Sequence, residues 1–470
     1  MEIILGVKNF GKIKSAEVNI NGFSVFVGNN NSGKTYLMQL IYGIQHNFEQ
    51  YVYEKKEDFI AVLEGIKRDN KIIVDFEIIK TFEKIVNGIL EEKKDSLVYD
   101  IFNEKIAIGQ IYLKVECDTD EKREFCLIDD ENCKDFEEGN KEISRLFSSI
   151  KSNFKRENAV QMVLENVSNH SGKAEQSIHI RIGEEKNKLL TITFENLLHQ
   201  MIGIPGQTIF LPAARTGLLA LYKEFFAYKA DEAVRAITIS KSREQKEANK
   251  NAVRLGLTQP VYDFIRFMQT FMPDNDMQEE EIELIHFINE NLIDGKLLIN
   301  KDAATLYQGG ENSTPIPLYL SSSMINELTP IIYVLQSVES FKYIIWDEID
   351  TSLHPQKQME LVRLLVRMNN AGYRLVVSTH SDTMASKINN LCILSYSNSL
   401  KEKRAEILEK AGLEEHDLLN SQIHVYQFEN QENGKSIVNE LQYDNFTGYE
   451  FSQFNDSVEK LLKETKLVME

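Results

Sequence analysis

The chain of 470 residues is poor in cysteine and contains no long apolar run. Its four cysteines, Cys117, Cys126, Cys133 and Cys392, include no C-x-x-C pair and no histidine at metal-ligand spacing. We therefore expect free thiols rather than a disulfide framework or a zinc site. No apolar stretch reaches the roughly 18 residues of a membrane span, and the first residues lack the layout of a signal peptide. These absences predict a cytoplasmic protein that does not enter a membrane.

The sequence is also short of positive charge, because 53 Lys and Arg stand against 72 Asp and Glu, a formal net charge of −19. Nonspecific DNA binding depends on neutralising phosphates, so the net charge argues against a surface uniformly suited to DNA, while a local basic groove stays open. One basic stretch, residues 240–254, contains Lys241, Arg243 and Lys246. An exposed helix with ion pairs between successive turns is the simpler interpretation, and a nucleic-acid contact is the alternative.

The most informative stretch is Gly28-Asn29-Asn30-Asn31-Ser32-Gly33-Lys34-Thr35, which fits the phosphate-binding loop pattern G-x-x-x-x-G-K-[S/T] at every fixed position. The apolar run Phe23 to Val27 predicts a strand before it, and a helical pattern to about Phe48 follows. In such a loop, backbone N–H groups and the helix N-terminus bind an anion. Lys34 then reaches the β- and γ-phosphates, and the Thr35 hydroxyl binds Mg²⁺. The alternative is a Gly- and Asn-rich turn before an ordinary helix.

A pair of acids follows a short apolar strand, where Tyr343 to Trp346 leads into Asp347 and Glu348. Beside a nucleotide, Asp347 would hold the Mg²⁺ water shell, and Glu348 would orient and polarise the attacking water. Two acids in an ordinary turn are the alternative. The next predicted strand ends at His380, where a histidine can reach the γ-phosphate, and a satisfied structural histidine is the alternative there.

Strands alternate with helices along the chain, which predicts an α/β fold with a parallel core. We expect an N-terminal lobe with the phosphate loop, a largely helical or α+β insertion, a helical subdomain, a C-terminal lobe and a C-terminal α+β extension. Their limits, in that order, are 1–48, 49–205, 206–300, 301–400 and 401–470. The patterns also predict a helix near 141–165, strands at 189–194 and 388–396, a hairpin from 423–429 and 435–442, and a closing helix at 452–466.

Together these motifs resemble the ATP-binding-cassette (ABC) class of ATPases, and more narrowly its RecF-like and OLD-like branch, relatives of SMC proteins. The resemblance depends on their order: N-terminal strands, phosphate loop, long insertion, Leu-Pro-Ala-Ala-Arg ending at Arg215, a serine-rich segment, the acids, then Ser-Leu-His-Pro and Ser-Thr-His-Ser-Asp. It covers roughly residues 1–48, 206–220 and 300–396. It implies a P-loop ABC-type ATPase head with a mixed sheet core that hydrolyses ATP with Mg²⁺.

The resemblance also implies residues that act between two heads. In this class two heads enclose two ATP molecules, and the signature helix of one head contacts the γ-phosphate held by the other. By position, Ser321, Ser322 and Ser323 match the signature, although relatives usually carry glycine at the place of Ser323; an ordinary serine helix cap is the alternative. Asp350 and Ser352 match the segment that crosses between heads.

Three further residues near these motifs have open or structural interpretations. Arg215 follows a core strand and is expected to face either the nucleotide or the insertion. Pro355 suits the first turn of a helix, which Ser352 or Thr351 would cap. His354 is expected to be structural.

The chain has about 75 residues after Tyr396, too few for the TOPRIM nuclease domain of OLD nucleases. The resemblance therefore implies an ATPase subunit that forms homodimers or higher homo-oligomers and regulates a separate effector protein, a nuclease or toxin. Septu- and PARIS-type anti-phage defence systems are the examples, and this step is analogy. Two alternatives stay open: a DNA-binding repair or recombination ATPase of RecF-like type, and a structural scaffold with weak ATPase activity.

Overall fold

The computed structural model describes residues 2–68, 71–119, 122–128, 161–168, 174–181, 188–203, 207–220, 256–299, 305–310, 312–451 and 462–469. The chain divides into two compact units. The first comprises Met1–Ile4, Asn47–Lys93 and Tyr112–Ile204, and the second comprises Leu5–His46, Lys94–Ile111 and Pro205–Glu470. The five segments proposed from the sequence stay a prediction.

The described elements are eighteen strands and ten α-helices, with a π-helical turn at Ile288–Leu292 and 3₁₀ turns at Leu318–Leu320, Asn398–Lys403 and Glu415–Asp417. The strands are β1 Glu2–Phe10, β2 Ile13–Asn19, β3 Phe23–Gly28, β4 Lys71–Val74, β5 Gln110–Glu116, β6 Arg123–Ile128, β7 Gln161–Ser168, β8 Ala174–Arg181, β9 Thr208–Leu211, β10 Lys296–Leu298, β11 Leu306–Gln308, β12 Ile316–Pro317, β13 Tyr343–Trp346, β14 Arg374–Ser378, β15 His424–Asn430, β16 Ser436–Glu440, β17 Tyr443–Asp444 and β18 Gly448–Tyr449. The helices are α1 Lys34–Tyr53, α2 Lys56–Ile66, α3 Phe76–Phe102, α4 Lys188–Ile202, α5 Gln259–Thr270, α6 Glu279–Phe287, α7 Ser323–Leu335, α8 Pro355–Asn370, α9 Asp382–Tyr396 and α10 Arg404–Ala411. Residues 215–220 and 462–469 are also helical.

A nine-stranded mixed sheet has the order β5-β1-β2-β16-β15-β3-β14-β13-β9. The five strands from β15 to β9 are all parallel neighbours, while β15 and β16 pair antiparallel. Strands β3, β9 and β13 are buried at every position, as expected for parallel strands covered on both faces. The predicted α/β class with a mixed sheet core is confirmed, and so is the hairpin near the C-terminus.

The first unit contains a four-stranded sheet in the order β4-β6-β8-β7. Its described core includes an aromatic cluster in which Phe59 of α2 packs against Phe82 of α3 and Phe194 of α4, with ring centroids 4.9 and 5.2 Å away. These rings tie three helices of the unit together, and such aromatic pairs stabilise a core beyond the area they bury.

Two predicted strands are wrong. Residues 189–194 lie in the helix α4. The buried residues Leu197, Leu198 and Met201 follow them with helical spacing, so the apolar pattern over the whole segment is that of a helix. Residues 388–396 lie in α9, where Ile388, Leu391 and Cys392 are buried with i, i+3, i+4 spacing.

Other predictions meet the structure only in part. The helix expected near 141–165 is contradicted where it can be compared, since its last residues begin β7; the earlier part lies outside the described residues. The closing helix is observed from 462, and residues 452–461 lie outside the described part. So does the whole basic stretch with Lys241, Arg243 and Lys246.

The expectations about thiols and membranes can be compared with the described ranges. In the described part of the chain, neither Cys117 nor Cys392 forms a disulfide, while the side chains of Cys126 and Cys133 lie outside it. Among the described helices, none is both long and apolar enough to cross a membrane.

A candidate nucleotide-binding site

The predicted phosphate loop connects the end of β3 to the start of α1, in the order expected from its sequence. Gly28 and Gly33 both have positive φ, +129° and +99°. At Gly28 the reason for glycine is a close approach, since a Cβ there would lie 2.3 Å from the carbonyl oxygen of Phe428 in β15. The loop conformation therefore depends on glycine at this position and on a strand from the end of the chain.

Lys34 is buried inside the loop, and its Nζ donates hydrogen bonds to the carbonyl oxygens of Gly28 and Asn29, both at 2.9 Å. Burial lowers the pKa of Lys34 to about 8, although the nearby carboxylates of Asp347 and Glu348 raise it in part. The carbonyl oxygens of the loop thus hold the ammonium group of Lys34 inside the loop.

Asp347 lies where the carboxyl ends of β13, β14 and β3 meet, because these strands are parallel neighbours. Thr35 Oγ1 donates a hydrogen bond to Asp347 Oδ2 at 2.7 Å, and Ser378 Oγ donates to Asp347 Oδ1 at 2.5 Å. Hydroxyl and carboxylate oxygens are the donors that Mg²⁺ prefers. In the described ranges no cluster of three or more His, Cys, Asp or Glu could hold a metal ion, so Mg²⁺ here would complete its shell with phosphate and water oxygens.

Glu348 follows with a left-handed backbone, φ +47°, which is sparsely populated for residues other than glycine and costs on the order of 1–2 kcal/mol. Its N–H donates to Ser378 Oγ at 2.8 Å. Its side chain is 42% exposed, and Oε1 lies 3.9 Å from Nε2 of His380. The carboxylate of Glu348 is therefore accessible to solvent at the edge of the sheet.

His380 belongs to the same edge. Burial, and then the charge of Lys34, lower the pKa of His380 below its usual value, which favours the neutral imidazole. Its backbone N–H donates to Asp350 Oδ1 at 3.1 Å, and Thr379 Oγ1 donates to the same oxygen at 2.7 Å. Asp350, expected to act between two heads, also organises the turn that carries His380 within one chain.

Arg215 faces neither of the directions expected for it. The side chain is fully buried in the second unit. Its NH1 donates to the carbonyl oxygens of Pro212 and Asp347, and its NH2 donates to that of Glu348. Its guanidinium also forms an ion pair with buried Glu327 at 3.0 Å. Arg215 thus contacts the backbone of both acids rather than the nucleotide or the insertion.

The serine-rich segment forms the N-terminus of α7. Ser322 Oγ accepts a hydrogen bond from Ile325 N at 3.4 Å, so the capping alternative holds for this residue. Ser321 Oγ donates to Leu318 O at 2.6 Å. Ser322 and Ser323 are exposed at the helix start. Their contact with a second head stays a prediction.

The turn after the acids corrects one expectation. The helix α8 is capped by His354, whose Nδ1 accepts from Gln356 N at 3.4 Å, and not by Ser352 or Thr351. His354 has the structural role expected of it. Ser352 is exposed with φ +60°, and its role between heads stays a prediction.

Sequence reasoning missed two contributors to the site. Ser378 joins Asp347 to the peptide of Glu348, and its position at the end of a strand next to the acids was the available signal. Ser436 of β16 donates to the loop carbonyl of Ser32 at 2.6 Å, and nothing in its local sequence indicates that contact.

A mixed α/β sheet with this loop and these acids at the carboxyl edge of its parallel strands defines a protein of the phosphate-loop NTPase class. More particularly, the chain belongs to the AAA ATPase domain family, whose model matches residues 1–385.

Several solved structures are also similar to the chain. An SMC head domain from Thermotoga maritima is 10% identical, with 94% of this chain and 100% of that chain covered and a TM-score of 0.35. An Smc head domain with an extended coiled coil, bound to the C-terminal domain of ScpA and derived from Pyrococcus furiosus, is 14% identical, with 99% and 100% covered and a TM-score of 0.34. An Smc head bound to the C-terminal winged-helix domain of ScpA is 12% identical, with 94% and 97% covered and a TM-score of 0.36. Among curated proteins, none matches the chain significantly.

Proposed function

We propose that this chain binds Mg-ATP at the loop 28–35 and hydrolyses it to ADP and phosphate. The observation that carries the proposal is the junction in which Thr35 and Ser378 both donate to Asp347, while Ser378 also accepts from the N–H of Glu348. This junction supports the proposal, because it brings two oxygen groups suited to Mg²⁺ and a solvent-exposed carboxylate next to the loop, and phosphoryl transfer to water requires such a set of groups.

Each residue then has a definite role. The loop N–H groups and Lys34 bind the β- and γ-phosphates. Thr35 and Asp347 would hold Mg²⁺, and the ion would neutralise charge on the phosphates. Glu348 orients a water molecule and takes its proton as the water oxygen attacks the γ-phosphorus. The bond between the γ-phosphorus and the bridging oxygen breaks, and that oxygen leaves as part of ADP. His380 donates a hydrogen bond to the γ-phosphate.

The test compares wild type with Lys34→Ala and Glu348→Gln in binding and steady-state hydrolysis of Mg-ATP. Lys34→Ala should lose nucleotide binding. Glu348→Gln should bind Mg-ATP with normal affinity, but its kcat should fall roughly 100-fold or more, because only the general base is removed. Lys357→Ala is the matched lysine control, since Lys357 is ion-paired with Asp294 in the second unit. Retained affinity in Lys34→Ala, or wild-type turnover in Glu348→Gln, would contradict the assignment.

We further propose that the protein is an ABC-type head whose hydrolysis involves a second copy. The order of the motifs and the solvent-exposed start of α7 support this, because a helix N-terminus offers N–H groups and a positive dipole end to a phosphate. Light scattering on Glu348→Gln should show a rise in mass on adding Mg-ATP, and Ser323→Glu in that background should prevent the rise. A mass that does not change with Mg-ATP would count against the two-head arrangement.

In the cell, we propose that this ATPase regulates a separate nuclease or toxin in anti-phage defence, a step that depends on the resemblance alone. Co-purification with a nuclease or toxin encoded beside it, and control of that effector by Mg-ATP, would support this role. Hydrolysis stimulated by DNA with a steep salt dependence would instead favour the repair alternative.

A further inference from the structure

We propose that Arg215 and Glu327 form a buried link between α7 and the main chain of Glu348. Through this link, a contact made by the N-terminus of α7 changes the position of Glu348 and so the rate of hydrolysis. The inference rests on the proposed ATPase function and adds to it a path of regulation. In this role Arg215 is a positioning residue, because its hydrogen bonds go to protein groups beneath the site.

The first end of the link is the main chain of the two acids. The Arg215 NH1 group lies 2.8 Å from the carbonyl oxygen of Asp347, and its NH2 group lies 3.1 Å from that of Glu348. A third bond goes from NH1 to Pro212 O at 3.1 Å, next to the strand β9. Because the guanidinium is a rigid plane, these bonds fix the two acid peptides relative to β9.

The second end is a single residue of α7. Arg215 pairs with the Glu327 carboxylate at 3.0 Å, and its Nε donates to the Glu327 carbonyl oxygen at 3.3 Å. Thr216 Oγ1 also donates to the Glu327 carboxylate. Pro330 lies within α7 and removes the helix bond to the carbonyl of Asn326, next to Glu327, which loosens the helix at this point. The side chain and main chain of Glu327 therefore move together with Arg215.

The peptide of Glu348 is held from both sides. Its N–H donates to Ser378 Oγ and its carbonyl accepts from Arg215, and the residue between these bonds has φ +47°. A backbone in this region persists only while its surroundings hold it. A shift of α7 passed through Glu327 and Arg215 would let this peptide relax and move the carboxylate away from the water it orients.

Burial of the pair supports a role other than stability. The side chains of Arg215 and Glu327 are 0% and 1% exposed, and replacing such a pair by apolar residues is often neutral or stabilising, whereas removing one partner is costly. A double substitution can therefore separate folding from coupling. Arg215→Met/Glu327→Leu removes both charges of the pair together.

The first experiment measures thermal unfolding, affinity for a non-hydrolysable ATP analogue, and kcat for this double variant. We expect a folded protein with affinity within about threefold of wild type and kcat reduced roughly 10- to 100-fold, the scale of a misplaced catalytic group. The control is Arg363→Met/Asp417→Leu, which removes a second buried ion pair, 2.8 Å long, between α8 and the turn at 415–417. Arg367, which also pairs with Asp417, keeps its ion pair with Glu414 in this variant. Its kcat should stay within about twofold of wild type.

The outcomes separate the inference from the function beneath it. Wild-type kcat in Arg215→Met/Glu327→Leu overturns the link, as does an equal loss of kcat in the control pair. If wild type does not hydrolyse ATP, or if Glu348→Gln is as fast as wild type, the proposed function is wrong and the link falls with it.

A second measurement uses Trp346, the single tryptophan of the chain. It is buried, and its ring centroid lies 5.5 Å from Cζ of Arg215, so its emission reports on the guanidinium. Mg-ATP should change this emission in Glu348→Gln, in which hydrolysis is stalled. Adding Glu327→Gln, which keeps the size of the side chain, should abolish the change while the affinity for Mg-ATP persists. An unaltered emission change in that variant would show that α7 is not coupled to the acids through Glu327.

Discussion

Lys34 is the group whose protonation should respond most directly to ATP. It is buried and donates to carbonyls of its own loop, and burial lowers its pKa to about 8 against the opposing effect of the carboxylates. Phosphate oxygens beside the ammonium stabilise its charged form and so raise the pKa towards its usual value or above. ATP binding should therefore take up a proton at mildly alkaline pH.

The size of the effect follows from the pKa. With a pKa of about 8, Lys34 is deprotonated in about 9% of molecules at pH 7, about half at pH 8 and about 90% at pH 9. Proton uptake per nucleotide bound should therefore rise through about 0.1, 0.5 and 0.9 over this series. If only the protonated form binds, the Kd should weaken about tenfold from pH 7 to pH 9.

The same shift predicts the stability of the free protein. Between the folded pKa and the higher unfolded one, the unfolded state binds more protons, so the free energy of unfolding rises with pH. From about pH 7 to about pH 9.5, wild type should gain about 2 kcal/mol more than Lys34→Met in urea unfolding. A parallel pH dependence of the two proteins would refute the lowered pKa.

The binding assay is titration calorimetry with a non-hydrolysable ATP analogue and Mg²⁺, in two buffers that differ in protonation enthalpy. Their difference gives the number of protons taken up. Lys34→Arg is the control, since a guanidinium stays protonated throughout this range and should take up none. The reasoning fails if wild type takes up no proton at about pH 8.5, or if Lys34→Arg takes up as many.

Three further outcomes test other contacts. Ser378→Ala should reduce kcat roughly tenfold or more, measured by steady-state hydrolysis, because it removes a partner of both Asp347 and the N–H of Glu348; an unchanged kcat would remove Ser378 from the site. Gly28→Ala should lower stability by about 1–3 kcal/mol in thermal unfolding, because its Cβ would collide with a carbonyl oxygen. Ser322→Ala should lower the free energy of unfolding by about 1 kcal/mol, because a helix cap is lost. If the same single variant also has a lower kcat, the Ser322 hydroxyl acts in hydrolysis as well.

The parts of the site that the sequence predicted are short motifs attached to strand ends. The phosphate loop, Asp347, Glu348 and His380 each follow an apolar strand, and parallel strands bring their carboxyl ends to one edge. Local pattern and one topological rule therefore suffice to bring them together. Their chemical roles stay predictions, since geometry places the groups without showing turnover.

The parts that the sequence did not predict depend on distant partners. Arg215 is directed by Glu327, 112 positions further along the chain, and no local pattern shows which buried acid an arginine will meet. The strands expected at 189–194 and 388–396 failed for a related reason. Over six to nine residues, β-branched and apolar content favours a strand. The longer segments form helices, because each buries one apolar face along its whole length.

The end of the chain shows why a phosphate-loop motif is not by itself a binding site. Strands β15 and β16 lie in the sheet between β3 and β2, so the hairpin that ends the described sheet flanks the strand that begins the loop. The carbonyl of Phe428 closes against Gly28, and Ser436 donates to the loop carbonyl of Ser32 while its own N–H donates to Lys12 O. The loop conformation is therefore held by residues some 400 positions away. The proposed nucleotide site therefore depends on more than its motif, because the C-terminal hairpin contacts the loop at Gly28 and Ser32.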